Sequence, residues 1–256
     1  MNETVRRPPR LYVEPDLGAG ARVPLDAKQA HYLAHVLRLA DGDPVLAFNG
    51  RDGEWRCRME ASGGRRRGLH AEERTRPQPA APDLVLLFVP LKQARLDYMI
   101  QKAVELGVGR VAPVLSDHGQ VRRVNAARLA ANAVEAAEQC GILTLPGIAP
   151  LRPLAGTLAR WPGEEGARQL LFCDEATGDA DPLAALAPLQ GRPLAVLVGP
   201  EGGFSAAERQ RLRSAAFVRP LPLGPRILRA DTAAVAALTL AQAVLGDWRT
   251  APPERL

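Results

Sequence analysis

Residues 84 to 89 read Leu-Val-Leu-Leu-Phe-Val, six apolar side chains without a break. A strand with one wet face alternates apolar and polar residues. An unbroken run means burial on both faces, as in a parallel sheet covered by helices. The residues that follow change period. Leu96, Met99, Ile100, Ala103 and Val104 fall at i, i+3, i+4, i+7 and i+8, one face of a helix from about Lys92 to Leu106. Gly107 and Gly109 end it. Val111 to Leu115 then reads as a strand, Asn125 to Cys140 as a helix closed by Gly141, and Leu170 to Cys173 and Leu194 to Val198 as strands. Ser205 and Glu208 have capping-box spacing for a helix to about Ala215. Val218 to Leu223 reads as extended, and Asp231 or Thr232 is placed to cap a last helix to Leu245. Strands alternating with helices predict an α/β fold with an open parallel sheet.

Upstream the pattern differs. Leu11 to Val13 and Val45 to Phe48 are short β-like runs around a helix from Asp26 to Leu39. Asp26 and Gln29 resemble a capping box, and Leu33, Val36 and Leu37 share a helical face. From Glu54 to Ala61 the chain alternates, with Trp55, Cys57 and Met59 on one side and Arg56, Arg58 and Glu60 on the other. A turn at Asn49 to Gly53 precedes it, and another at Gly63-Gly64 follows, beside Arg65, Arg66 and Arg67. This predicts a small β-rich domain with arginines on one rim. Arg76 to Pro82 is a Pro/Ala linker, so the expected domains are 1–76 and 77–256.

Composition narrows the function classes. Hydrophobic residues make up 46% of the 256, too many for a disordered polymer. No window holds 18 uninterrupted apolar residues, so no membrane partner is expected. The first ten residues lack an apolar secretory core, which points to the cytoplasm. Cys57, Cys140 and Cys173 are widely spaced and odd in number, which argues against a disulfide framework or a metal site. His31 and His35 are four apart, with no zinc-protease pattern around them. The net charge is +5, and of 33 basic residues only Lys28, Lys92 and Lys102 are lysine. Arginine's planar fork suits phosphate, although a compositional bias toward Arg, Ala, Gly and Pro explains the excess as well.

Two glycine loops are the strongest site candidates. Leu197-Val198-Gly199-Pro200-Glu201-Gly202-Gly203-Phe204-Ser205 lies between a buried strand and a capped helix, where open α/β sheets bind ligands. It is neither a dinucleotide fingerprint nor a phosphate loop. The second, Leu221-Pro222-Leu223-Gly224-Pro225-Arg226-Ile227-Leu228-Arg229-Ala230-Asp231-Thr232, also runs from strand to helix, with Arg226 and Arg229 spaced to bracket an anion.

Taken together, Pro9 to Tyr12, His31 to Arg38, Gln101 to Gly107, Glu138 to Gly141, Val198 to Ser205 and Leu223 to Thr232 resemble the ribosomal RNA small subunit methyltransferase E family. They run in family order over nearly the whole chain. The resemblance implies a PUA-like β-barrel that binds RNA, then a SPOUT domain whose chain forms a deep trefoil knot. It implies a homodimer that uses S-adenosylmethionine to methylate N3 of one uridine in 16S ribosomal RNA. The cofactor would be held by Leu197, Val198, Gly199, Pro200, Glu201, Gly202, Gly203, Leu223, Gly224, Arg226, Ile227 and Leu228. Arg229 would stabilise charge on the base, and Asp231 or Glu201 would take the N3 proton. Arg10, Arg65, Arg66, Arg67, Lys102 and Arg122 are the candidate RNA contacts. Two departures stand out: Asp231 where the family has Glu, and His118 where relatives often carry Arg. Other readings to test are a knotted methyltransferase acting on a ribose 2′-hydroxyl of transfer RNA, and a non-catalytic RNA-binding module.

Overall fold

The unbroken apolar runs become fully buried parallel strands. The computed structural model describes residues 7–61, 67–174 and 181–249. By internal contacts the chain divides into one unit of residues 1–81 with 137–145, and a second of 82–136 with 146–256.

In the first unit, β1 (Arg10–Tyr12), β2 (Arg22–Pro24), β3 (Pro44–Phe48), β4 (Glu54–Ala61) and β5 (Arg67–Arg76) form a sheet in the order β1-β3-β4-β5-β2. β1 runs parallel to β3, and the other pairs are antiparallel. The alternation in β4 holds: Cys57 and Met59 are buried while Arg56 and Arg58 are exposed. β2 and β5 carry little apolar periodicity, which is why the sequence reading passed over them.

The helix read from Asp26 to Leu39 is shorter and changes character. α1 (Ala27–His31) starts at the expected capping box, with the Gln29 N–H donating to Asp26 Oδ1 at 2.7 Å and the Asp26 N–H to Gln29 Oε1 at 3.0 Å. From Tyr32 to Val36 the turn widens to π geometry, and the Leu37 N–H bonds back five residues to the Tyr32 carbonyl. Leu33 stays fully buried, but the wider turn carries Val36 out to 58% exposure. Val36 is therefore not on the core face expected for it.

Within the first unit, arginines bind carbonyls of residues 137 to 142. A helix leaves its last carbonyls unpaired. Arg10 donates through Nη1 to the carbonyls of Ala137 and Glu138 and through Nη2 to Ile142. Arg76 donates to Gly141 at 2.9 Å. Both arginines also hold Glu54, whose side chain is only 5% exposed.

In the second unit, β6 (Leu84–Phe88), β7 (Arg110–Leu115), β8 (Gly147–Ile148), β10 (Gln169–Phe172), β11 (Leu194–Val198) and β12 (Val218–Pro220) make a parallel sheet in the order β12-β10-β11-β6-β7-β8. The short β9 (Arg152–Pro153) pairs with β7. Every residue of β6, β10 and β11 is buried. α2 (Gln93–Glu105) buries the five residues that its period selects, Leu96, Met99, Ile100, Ala103 and Val104. α3 (Ala126–Cys140), α6 (Ala206–Ser214) and α7 (Ala230–Leu245) follow the expected spans. α4 (Leu154–Glu164) was not anticipated, because Pro162 lies inside it and proline reads as a helix breaker. α5 (Pro182–Leu186) also escaped; the Asp181 carboxylate caps it. Among the described residues no helix is long and apolar enough to cross a membrane.

The strand order fixes where a ligand can sit. β7 lies on one side of β6, and β11 and β10 lie on the other. The connections therefore diverge between β6 and β11, which opens a crevice at the carboxyl ends of the strands.

Candidate functional site

Three strands, β10, β11 and β12, contribute the residues just past their carboxyl ends, so the cleft lies on the β10 side of β11 and β6 does not line it. Cys173 and Asp174 follow β10, Val198 to Glu201 with Gly203 and Phe204 close β11, and Leu221 to Leu228 follow β12. They enclose a cleft of about 220 Å³, completed by Arg209 of α6 and by Ala230 and Ala233 of α7. The two glycine loops therefore meet: Pro200 and Ile227 line one cleft. Most of the positions assigned from the sequence line it too, namely Val198, Gly199, Glu201, Gly203, Leu223, Gly224, Arg226 and Leu228. Leu197 and Gly202 do not; Leu197 is fully buried in β11, and Gly202 faces a small neighbouring hollow with His118 and Lys92.

The glycines have physical reasons to be there. A Cβ at Gly199 would lie 2.6 Å from Phe204 Cε2, so any side chain would displace that ring. Phe204 in turn sits edge-on to Phe172, ring centroids 5.3 Å apart. Gly224 has φ +85, a conformation that side chains disfavour, and space around it is open.

The first loop is tied down from the segment after β7, two strands away from β11 in the sheet. Ser205 is the N-cap of α6, and Glu208 completes the capping box, with the Ser205 N–H donating to its Oε2 at 3.0 Å. The same carboxylate accepts the Asp117 N–H through Oε1 at 3.0 Å. The Ser205 hydroxyl donates to Asp117 Oδ2 at 2.6 Å, and His118 Nδ1 lies 3.1 Å from the Gly202 carbonyl. Since a carbonyl only accepts, that nitrogen carries the proton.

Charge in the cleft is mostly paired. Asp174, 5% exposed, binds Arg209 at 3.1 Å and Arg213 at 2.5 Å. Glu201 pairs with Arg95 of α2. Among the described residues, Arg226 is the lining cation without an ion-pair partner. Sequence reading missed Asp174, Arg209 and Arg213. The available signal was a carboxylate at the end of the apolar run Leu170 to Cys173. Burial pushes the Cys173 thiol up to about 12, which keeps it protonated in the cleft wall.

The residues proposed for chemistry are placed as follows. Arg229 is exposed and does not line the cleft, although Leu228 and Ala230 on either side of it do. It is the N-cap residue of α7, with extended backbone and no side-chain cap bond. The expected cap by Asp231 or Thr232 is therefore incorrect. Asp231 lies one turn-position inside the helix, and its carboxylate accepts the N–H of Thr232 at 2.9 Å. Arg10 is a structural tie within the first unit, 12% exposed and over the Phe48 ring, not an open phosphate contact. Arg67 pairs with Asp41, and Lys102 with Glu105. Arg122 is exposed and donates to the Ser116 carbonyl at 3.3 Å. Arg65 and Arg66 lie outside the described residues.

Comparison with known proteins places this geometry. A family described as RNA methyltransferase domain matches residues 78–242, and one described as RNA methyltransferase PUA domain matches residues 25–67. The ribosomal RNA small subunit methyltransferase E of Rickettsia conorii is 29% identical over 231 residues, 90% of this chain and 93% of its own. That of Synechocystis is 30% identical over 242 residues, 92% of this chain and 78% of its own. The crystal structure of the Neisseria gonorrhoeae enzyme of that name, bound to S-adenosyl methionine, superposes with a TM-score of 0.79 at 27% identity, covering 94% of this chain and all of that one. The chain belongs to the ribosomal RNA small subunit methyltransferase E family.

Proposed function

We propose that this protein is an S-adenosylmethionine-dependent methyltransferase acting on N3 of a uridine in 16S ribosomal RNA. The observation that carries the reading is the meeting of the two glycine loops in one cleft at the carboxyl ends of β11 and β12. The donor set suits such a cofactor. Gly199 and Gly224 leave the backbone bare for close approach, Ile227 offers an apolar side chain at 86% exposure, and Arg226 offers a carboxylate a cation that has no ion-pair partner among the described residues. The holding residues in this reading are Val198 to Gly203 and Leu223 to Leu228, with Leu197 supporting from the strand.

When bound, the cofactor supplies an electrophilic methyl group on a sulfonium. The protein's share is positioning and electrostatics. Uridine N3 attacks well once its proton leaves, and the charge then spreads onto the flanking carbonyl oxygens. Arg229, exposed beside the cleft, is assigned to hold that charge. Asp231, at the start of α7, or Glu201, oriented by Arg95, is assigned to accept the N3 proton. N3 lies on the pairing edge of the base, so the target uridine must be unpaired or extruded. Residues 1–76 are assigned to RNA binding, with Arg65, Arg66 and, from the second domain, Arg122 as phosphate contacts. Residues 77–256 are assigned to methyl transfer, as a homodimer with a trefoil-knotted chain.

Mass mapping of nucleosides after incubation with unmethylated small-subunit RNA and a labelled methyl donor tests the reading. A methyl on N3 of a uridine is expected; a methyl on ribose would show a different target. Absence of heat on titration with S-adenosylmethionine would reduce the protein to a binding module.

A further inference from the structure

The π-helical turn of the first unit presents a surface that the proposed chemistry does not use. From Lys28 to Arg38 the exposed side chains are Lys28, His31, Tyr32, His35, Val36 and Arg38. The stretch between Ala27 and Leu39 contains no Asp or Glu. The wide turn sets residues four apart side by side: the His31 and His35 rings lie 4.9 Å apart, while Tyr32 and Val36 are 38% and 58% exposed. Such turns inside helices recur at functional sites. Arg38 closes the turn with φ +59, the one described side-chain-bearing residue in that region of backbone space.

Part of this unit's basic surface is different, although exposed Arg7 and Arg74 have no carboxylate partner among the described residues. On the sheet, Arg56 pairs with Glu73, Arg58 with Glu72, and Arg67 with Asp41. Arg38 has no such carboxylate among the described residues. The two acids that follow it are engaged elsewhere, Asp41 with Arg67 and Asp43 with the Ala40 N–H at 2.7 Å. Open cations interleaved with exposed rings suit one occupant: single-stranded nucleic acid, whose bases stack and whose phosphates pair.

We propose that the turn from His31 to Arg38 is where the first unit takes a single-stranded segment of the RNA substrate, with a base against Tyr32 and the imidazole pair, and phosphate on Arg38 and Lys28. The proposal rests on the ribosomal RNA reading above.

The test is filter binding of in vitro transcribed 16S ribosomal RNA to the full chain across a salt series. Tyr32→Ala is expected to weaken binding about tenfold or more with the salt slope unchanged. Arg38→Gly, which suits the positive φ and so keeps the fold, is expected to reduce the slope of log affinity against log salt by about one. Arg56→Ala, an equal loss of charge on the sheet, is expected to change little. If the wild type methylates the RNA and both turn variants bind as it does, this inference falls alone, and the patch belongs to a protein partner. If the wild type transfers no methyl yet its RNA affinity depends on Tyr32 and Arg38, the activity falls and the surface stands. No RNA binding at all would overturn both.

Discussion

The hydroxyl of Ser205 donates to the carboxylate of Asp117 at 2.6 Å, joining the start of α6 to the segment after β7, 88 residues earlier in the chain. The loop that lines the cleft thus has a brace from across β6, at the end of β7. Ser205→Ala removes the N-cap and this bond together. We expect a loss of about 1 kcal/mol in urea denaturation, together with weaker S-adenosylmethionine binding by calorimetry. Unchanged affinity with lowered stability would make the brace purely structural.

Gly199→Ala is expected to be costlier than its size suggests. The new methyl meets the Phe204 ring at 2.6 Å, and Phe204 is packed against Phe172. Overpacking of this kind costs about 1–3 kcal/mol. Thermal denaturation and cofactor titration should both register it, the second more strongly, since the ring and the loop line the cleft.

Arg229→Ala is expected to abolish turnover while leaving cofactor affinity close to the wild-type value, because Arg229 flanks the cleft without lining it. Affinity falling in step with rate would move Arg229 into the cofactor site.

Glu54 predicts an acid limit to stability. Burial alone would raise its carboxyl, but hydrogen bonds and charge from Arg76 and Arg10 outweigh burial and hold it below the usual carboxylate range. A group depressed in the folded state stabilises above its unfolded value, about 4.3, and that contribution is lost as pH falls through the folded value. Denaturation midpoints should therefore drop below about pH 4. Arg10→Ala leaves Glu54 half-compensated and removes donors from three carbonyls. A loss of about 3–5 kcal/mol is expected, and Glu54→Gln in the same background should recover part of it.

Thiol labelling should separate the cysteines. Cys140 is exposed, Cys57 is buried, and burial pushes the thiols of Cys57 and Cys173 up to about 12. Maleimide on the native protein is expected to label Cys140 first. Protection of Cys173 lost together with cofactor binding, in Gly199→Ala, would tie its burial to the integrity of the cleft wall.

The second unit was legible because its signals are periodic. Leu84 to Phe88 and Leu194 to Val198 are buried throughout, and the Ser205–Glu208 box starts its helix where spacing placed it. What escaped reading lacks such periods. α4 hides behind Pro162, β5 is mostly polar, and Val36 follows a helical period that the chain abandons at Tyr32. The two cleft loops were visible as glycine clusters, but the pairing of Asp174 with Arg209 and Arg213 was not. Those residues lie 35 and more positions apart, and no local pattern relates them.

The bonds from Arg10 and Arg76 to the carbonyls of residues 137 to 142 carry a consequence for synthesis. A nascent polypeptide cannot complete its amino-terminal unit when residue 81 emerges from the ribosome. The missing acceptors arrive only after some sixty further residues. A truncated gene ending at the linker should accordingly yield a product whose Arg10 and Arg76 keep Glu54 but lack their carbonyl acceptors, one that chaperones and proteases would meet as unfinished.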